Sequence, residues 1–116
     1  KKIYHLSTCD TCKRIMKEIN PSSDFILQDI KTESISAEHL EEMKTLAGSY
    51  ESLFSKRARL YKERDLKNQT LSEEDYKNLI LEHYTFLKRP VIIDNNQIFI
   101  GNSKKIIEAA KATING

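Results

Sequence analysis

Cysteine is scarce, charge of one sign is scarce, and long apolar runs are missing. Two cysteines in 116 residues, Cys9 and Cys12, are too few and too close together to staple a small secreted scaffold, which closes several long loops with disulfides. Nineteen basic residues against 17 acidic ones leave a formal charge of +2, too balanced to mark a nucleic-acid binder. No stretch approaches the roughly 18 consecutive apolar residues of a membrane span, and Lys1 to Leu6 reads as a strand that runs straight into a motif. A soluble, cytosolic protein with no membrane partner is therefore expected. There is no internal repeat and no low-complexity segment. What is present suffices for one core: 39% of residues are hydrophobic and 31% charged, and the length fits a single domain.

Lys2-Ile3-Tyr4-His5-Leu6 alternates apolar and polar side chains, and Ser7-Thr8-Cys9-Asp10-Thr11 breaks the strand before an amphipathic stretch from Cys12 to Ile19. Asn20-Pro21-Ser22-Ser23 is a breaker cluster. Phe25 to Ile30 then has the length and content of a buried second strand, so the opening reads as a parallel βαβ unit. Ser36 is a helix N-cap, Ile35 and Leu40 form a hydrophobic staple, and Gly48 supplies the stop. Between Tyr50 and Leu66 the pattern is helical but irregular, which predicts one short helix and a turn. Ser72 with Glu73, Glu74 and Asp75 starts a helix expected to reach about Tyr84. Val91 to Asp94 and Gln97 to Ile100, joined by Asn95-Asn96, read as a β-hairpin opened by Arg89-Pro90, and proline at the first position of a strand costs no ladder bond. Gly101-Asn102-Ser103 caps a last helix with Ile106, Ile107 and Ala110 on its inner side. Tyr4, Phe25, Phe54, Phe86 and Phe99 are spaced as core residues, with no platform for stacking bases.

Cys9-Asp10-Thr11-Cys12 lies at a strand-to-helix junction, where a separation of three residues brings two sulfurs within disulfide reach. Unpaired backbone N–H groups and the helix dipole favour a thiolate there, and Lys13 and Arg14 add positive potential. The functional reading is a redox dithiol in which Cys9, nearer the loop, attacks and Cys12, one turn inside the helix, resolves. Two blander readings stand beside it. One is half a zinc site completed by His5, His39 or His83, although structural zinc takes a second closely spaced ligand pair and these histidines stand apart. The other is an unreactive pair that fills space. His5, four residues before Cys9, is a candidate to tune the thiolate or to be a satisfied structural histidine; His39 and His83 fall on helices as surface or half-buried residues. Lys56, Arg57, Arg59, Lys62 and Arg64 read as a solvated basic face or as a site for phosphate, glutathione carboxylates or an acidic partner.

Ile3-Tyr4-His5 leading into the cysteine, the helical middle, and Leu87-Lys88-Arg89-Pro90-Val91-Ile92-Ile93 followed by Ile100-Gly101 resemble the ArsC/Spx family over nearly the whole chain. The resemblance implies an α/β, thioredoxin-like fold with a mixed four-stranded sheet, residues 1–116 as one domain and a helical insertion at about 36–84. It also implies a cis Pro90 beside the active cysteine. Arsenate reductases of that family hold their oxyanion with one cysteine and three arginines; here Arg89 matches one, while Ser55 and Asn102 stand at the other two positions and Arg57 is a partial substitute. The resemblance therefore implies a thiol–disulfide oxidoreductase with catalytic Cys9, Cys12 and Arg89, and with Arg57, Lys13 and Pro90 at the substrate or anion. No bound cofactor or metal is expected; glutathione or a thioredoxin- or glutaredoxin-type protein would be the reductant. Two alternatives are a glutaredoxin- or thioredoxin-coupled arsenate reductase, and an Spx-type redox-sensing regulator that binds the RNA polymerase α subunit without touching nucleic acid itself.

Overall fold

The structure, a computed structural model, describes residues 1–115. The elements run β1 (Lys2–His5), α1 (Asp10–Ile19), β2 (Ile26–Asp29), α2 (Ala37–Ala47), α3 (Arg59–Glu63), α4 (Glu73–Glu82), β3 (Val91–Asp94), β4 (Gln97–Ile100) and α5 (Lys104–Asn115). Three single 3₁₀ turns, Glu51–Leu53, Leu66–Asn68 and Tyr84–Phe86, punctuate the helical middle. The chain forms two compact units, one of Lys1–Ser34 with the segment from Arg89 onward, the other of Ile35–Lys88.

In the first unit the strands lie in the order β2-β1-β3-β4. β1 and β2 are parallel, with Ile3 opposite Leu27 and His5 opposite Asp29. β3 runs antiparallel to both β1 and β4. This is the mixed four-stranded sheet that the resemblance implies. Asn95 turns the hairpin with φ 56°, a left-handed conformation that asparagine tolerates. On one face Ile3 and Ile92 meet Ile15 and Ile19 of α1 and Ile107 and Ala110 of α5, with Phe25 completing the cluster and Met16, Phe99 and Ile114 packed around it. Ile106, expected on the inner side of α5, is only half-buried, and Ile114 joins the core in its place.

The second strand departs from its sequence reading. Ile26 is 65% exposed and Leu27 51%, whereas the run had been expected to be buried. The reason is topological. β2 pairs on one side only, so its consecutive apolar residues flank a sheet edge, whereas β3, with neighbours on both sides, is buried at all four positions.

In the helical unit, Ser36 caps α2 by accepting the His39 N–H at 3.1 Å while His39 Nδ1 accepts the Ser36 N–H at 3.2 Å. The capping box thus uses histidine where glutamate is usual. Gly48 ends the helix at φ 98°, donating its N–H to Lys44 C=O at 2.7 Å. Ser72 and Asp75 form the same box on α4. That helix stops at Glu82, two residues before the expected Tyr84, because His83 turns to an extended conformation and Tyr84–Phe86 forms a 3₁₀ turn. The irregular basic stretch resolves into α3 flanked by two 3₁₀ turns. Phe54 centres this unit, stacked on Phe86 at 5.2 Å, tilted against Tyr76 at 4.8 Å and edge-on to Tyr61 at 5.8 Å.

The contrast between β1 and β2 is testable by chemical denaturation. Ile3→Ala, in the packed cluster, is expected to cost about 2–5 kcal/mol, whereas Ile26→Thr on the open edge is expected to stay within about 0.5 kcal/mol of the parent.

Candidate active site at the cysteine pair

The Leu6 carbonyl accepts the Cys9 N–H at 3.0 Å, closing a tight turn directly after β1. Cys9 then occupies the N-cap of α1, extended at φ −93° and ψ 116°, with its carbonyl accepting the first intrahelical bond from Lys13 N–H at 3.0 Å. The residues preferred at an N-cap place an oxygen over the free amides of the first turn; here a sulfur stands in that place. No side-chain cap hydrogen bond of regular geometry forms. The Thr11 and Cys12 amides nevertheless act on the sulfur, with consequences for its charge.

Both cysteines are free thiols, Cys9 half-buried and Cys12 buried. Partial burial pushes the Cys9 thiol up, but the Cys12 backbone N–H, the Cys12 thiol, the Thr11 N–H and the positive charge of Arg89 together hold it below the usual cysteine value. Cys12 goes the other way. Burial above all, with the charge and the hydrogen bond of Cys9 adding to it and the Leu6 backbone and Arg89 opposing, pushes it up to about 11. The pair is therefore polarised: its surroundings favour ionisation at Cys9 and disfavour it at Cys12.

Arg89 reaches this site through the sheet rather than through the sequence. Tyr4 pairs with Val91 in the antiparallel β1–β3 ladder, so the segment just before β3 lies beside the end of β1, where the cysteine turn begins. The Arg89–Pro90 peptide is cis, as the resemblance implies, and the Pro90 carbonyl accepts the Gly101 N–H at 3.0 Å. Pro90 is buried and Arg89 half-buried.

The other expected site residues are placed differently. Lys13 is exposed on the first turn of α1. Arg14 lines a cavity of about 250 Å³ together with Glu18, Asn102, Lys104 and Glu108. The basic group acting on both thiols is Arg89. His5 is half-buried opposite Asp29 in the β1–β2 register. Arg57 is exposed in the helical unit, between the first 3₁₀ turn and α3. Among the described residues no group of three or more His, Cys, Asp or Glu side chains is gathered as for a metal ion, and no helix is long and apolar enough to cross a membrane.

Two residues near the cysteine turn escaped the sequence reading. Asp29, at the end of β2, accepts the Ser7 N–H at 3.2 Å and the Ser7 hydroxyl at 2.5 Å. The available signal was register. In a parallel pair the last residue of β2 comes level with the last residue of β1, so a polar residue there faces the loop that follows β1.

Residues 4–110 match the model of the ArsC family. The chain is 26% identical to an uncharacterized protein of Haemophilus influenzae over 95% of this chain and 97% of that one. It is 24% identical to the global transcriptional regulator Spx 2 of Bacillus cereus over 90% of this chain and 82% of the regulator. Among solved structures, the arsenate reductase of Vibrio cholerae superposes with a TM-score of 0.76 at 22% identity, covering 97% of this chain and 94% of that one.

Polarisation of the pair predicts an asymmetric pH profile. Alkylation by iodoacetamide, resolved by residue with mass spectrometry, is expected to rise at Cys9 with a midpoint below the roughly 8.5 of a free cysteine, and at Cys12 only in strong alkali. Replacing Arg89 with methionine removes a charge that favours both thiolates and is expected to move the Cys9 midpoint upward. A Cys9 midpoint that stays put in Arg89→Met would show that the arginine does not act on the sulfur.

Proposed function

Because this chain belongs to the ArsC family, we propose that it is a cytoplasmic thiol–disulfide oxidoreductase in which Cys9 is the nucleophile and Cys12 the resolving thiol. The observation that carries the reading is the opposite displacement of the two thiols by the groups around them, Cys9 held low and Cys12 pushed up. A thiolate attacks; a thiol that keeps its proton waits.

In the first step Cys9 Sγ⁻ attacks one sulfur of a substrate disulfide, forming a mixed disulfide and expelling the other sulfur as a thiolate. Cys12 then loses its proton to that departing thiolate and attacks Cys9 Sγ. The second substrate thiolate leaves and the Cys9–Cys12 disulfide forms. Two electrons have passed to the substrate. A thiol reductant, glutathione or a thioredoxin- or glutaredoxin-type protein, returns them by the same exchange in reverse. The high value of Cys12 has a use here, because its charge is needed only once Cys9 has been consumed, when the neighbouring negative charge that disfavoured ionisation is gone. Arg89 steers an anionic substrate or partner to the sulfur and steadies the thiolate between encounters.

Two further readings each rest on a specific likeness. Similarity to the Vibrio cholerae arsenate reductase points to arsenate as substrate, against which Ser55 and Asn102 stand where that chemistry would call for arginine. A coupled assay with glutaredoxin or thioredoxin decides it, and no arsenate-dependent turnover removes this reading. Similarity to the Bacillus cereus regulator points to a redox switch read by RNA polymerase. Copurification with the polymerase α subunit before and after oxidation decides that one, and no association in either state removes it.

The dithiol mechanism itself is tested by equilibrating the protein in defined redox buffers and counting free thiols. A reversible two-electron transition joining Cys9 to Cys12 is expected, and Cys12→Ser is expected to accumulate a mixed disulfide on Cys9. Absence of the intramolecular disulfide at every cytosolic potential would sink the mechanism.

A further inference from the structure

The turn that presents Cys9 is tied to β2 by one carboxylate. Ser7, two residues before Cys9, gives both its N–H and its hydroxyl to one carboxylate, that of Asp29, at 3.2 and 2.5 Å. The same carboxylate takes the Lys31 N–H at 3.2 Å, and the Asp29 main-chain carbonyl takes the N–H groups of Thr32 and Glu33 at 3.2 and 2.8 Å. Asp29 therefore closes β2 and holds the loop after β1 with the same side chain. Two bonds from one serine to a single carboxylate fix an orientation as well as a distance, and bonds to an ionised acceptor are the stronger kind.

We propose that Asp29 is a positioning residue for the Cys9 nucleophile, holding the Ser7–Cys9 turn so that the sulfur stays over the free amides of α1. The inference rests on the reading of Cys9 as an attacking thiolate. The groups that stabilise that thiolate, the Cys12 and Thr11 amides, belong to the helix, whereas the sulfur belongs to the turn. Their alignment depends on what fixes the turn to the sheet. The Leu6–Cys9 backbone bond shapes the turn from inside, and the Ser7–Asp29 clamp ties it to a neighbouring strand. A clamp formed by a carboxylate also has to stay clear of the sulfur it serves, since a negative charge there would work against the thiolate. Asp29 grips residue 7, and the groups that act on Cys9 itself are the Cys12 and Thr11 amides, the Cys12 thiol and Arg89.

The test reads Cys9 itself and not turnover. Alkylation of reduced protein is followed against pH with residue-level mass spectrometry in the parent, Ser7→Ala, Asp29→Ala and the double variant, with Ser7→Thr as the rescue. Ser7→Ala leaves the Asp29 turn intact and guards against an Asp29→Ala chain that fails to fold. The single variants are expected to raise the Cys9 midpoint and to slow alkylation at pH 7 roughly fivefold, the equilibrium equivalent of one net hydrogen bond. The double variant is expected to match the larger single effect, since both act through one contact, and Ser7→Thr is expected to restore the parent profile. A parent midpoint below that of free cysteine which neither Ser7→Ala nor Asp29→Ala moves overturns the positioning role and leaves the dithiol reading standing. A parent midpoint at the ordinary thiol value overturns both.

Discussion

The constraint on which the rest depends is that a helix begins with amides that have no partner inside it. In α1 the residue set over those amides is a cysteine, not the usual serine, threonine or aspartate, and a sulfur in that position is useful only when ionised. The free amides then do for a thiolate what they do for a capping oxygen. The remainder of the sheet unit serves this arrangement. β1 aims the turn, β2 supplies the carboxylate that grips it, and β3 brings an arginine from about eighty residues away.

The two thiols show how small differences in environment separate chemically identical groups. They lie one helical turn apart, share Arg89 and share each other. Depth divides them. Cys12 faces the interior, where burial dominates, while Cys9 keeps part of its surface exposed, and there the amides, the Cys12 thiol and Arg89 together outweigh the desolvation cost. Moving either residue by one position would reverse or erase the difference, because successive helical positions turn by about 100° and would carry the sulfur away from the amides or away from the core.

Much of this was legible in the sequence, and the failures share a physical origin. Caps and turns are local, so Ser36, Gly48, Ser72 and Asn95 could each be read from their neighbours and stand as read. The strand-to-helix position of the cysteines was legible for the same reason. Burial is not local. Nothing within Phe25–Ile30 says how many neighbours the strand will have, and Ile26 and Leu27 are exposed because the answer is one. Asp29 was missed on similar grounds, since its partner Ser7 lies 22 residues away and only the parallel register brings them together. The stretch from Tyr50 to Leu66 holds the one short helix expected of it, α3, with 3₁₀ turns on either side. No strong cap competes for its start, so packing around Phe54 cuts it into short turns.

The basic run in that stretch is less positive than its composition suggests. Arg64 is held by both oxygens of Glu82 at 2.6 and 3.1 Å and lies over the Phe86 ring, Lys56 lies 3.6 Å from Glu51, and Arg59 lies 3.9 Å from Glu63. Exposed pairs of this kind add little stability, roughly 0–1 kcal/mol each. Their electrostatic effect is larger than their energetic one, because each places a carboxylate beside a cation and so shortens the reach of the positive field. Three of the five cations that the sequence presents as a basic face, Lys56, Arg59 and Arg64, are therefore locally compensated. The cation whose charge acts on both thiols is Arg89, in the sheet unit. A compact, multiply charged oxyanion needs several charge-assisted donors at once to replace its water, and one arginine supplies fewer than that.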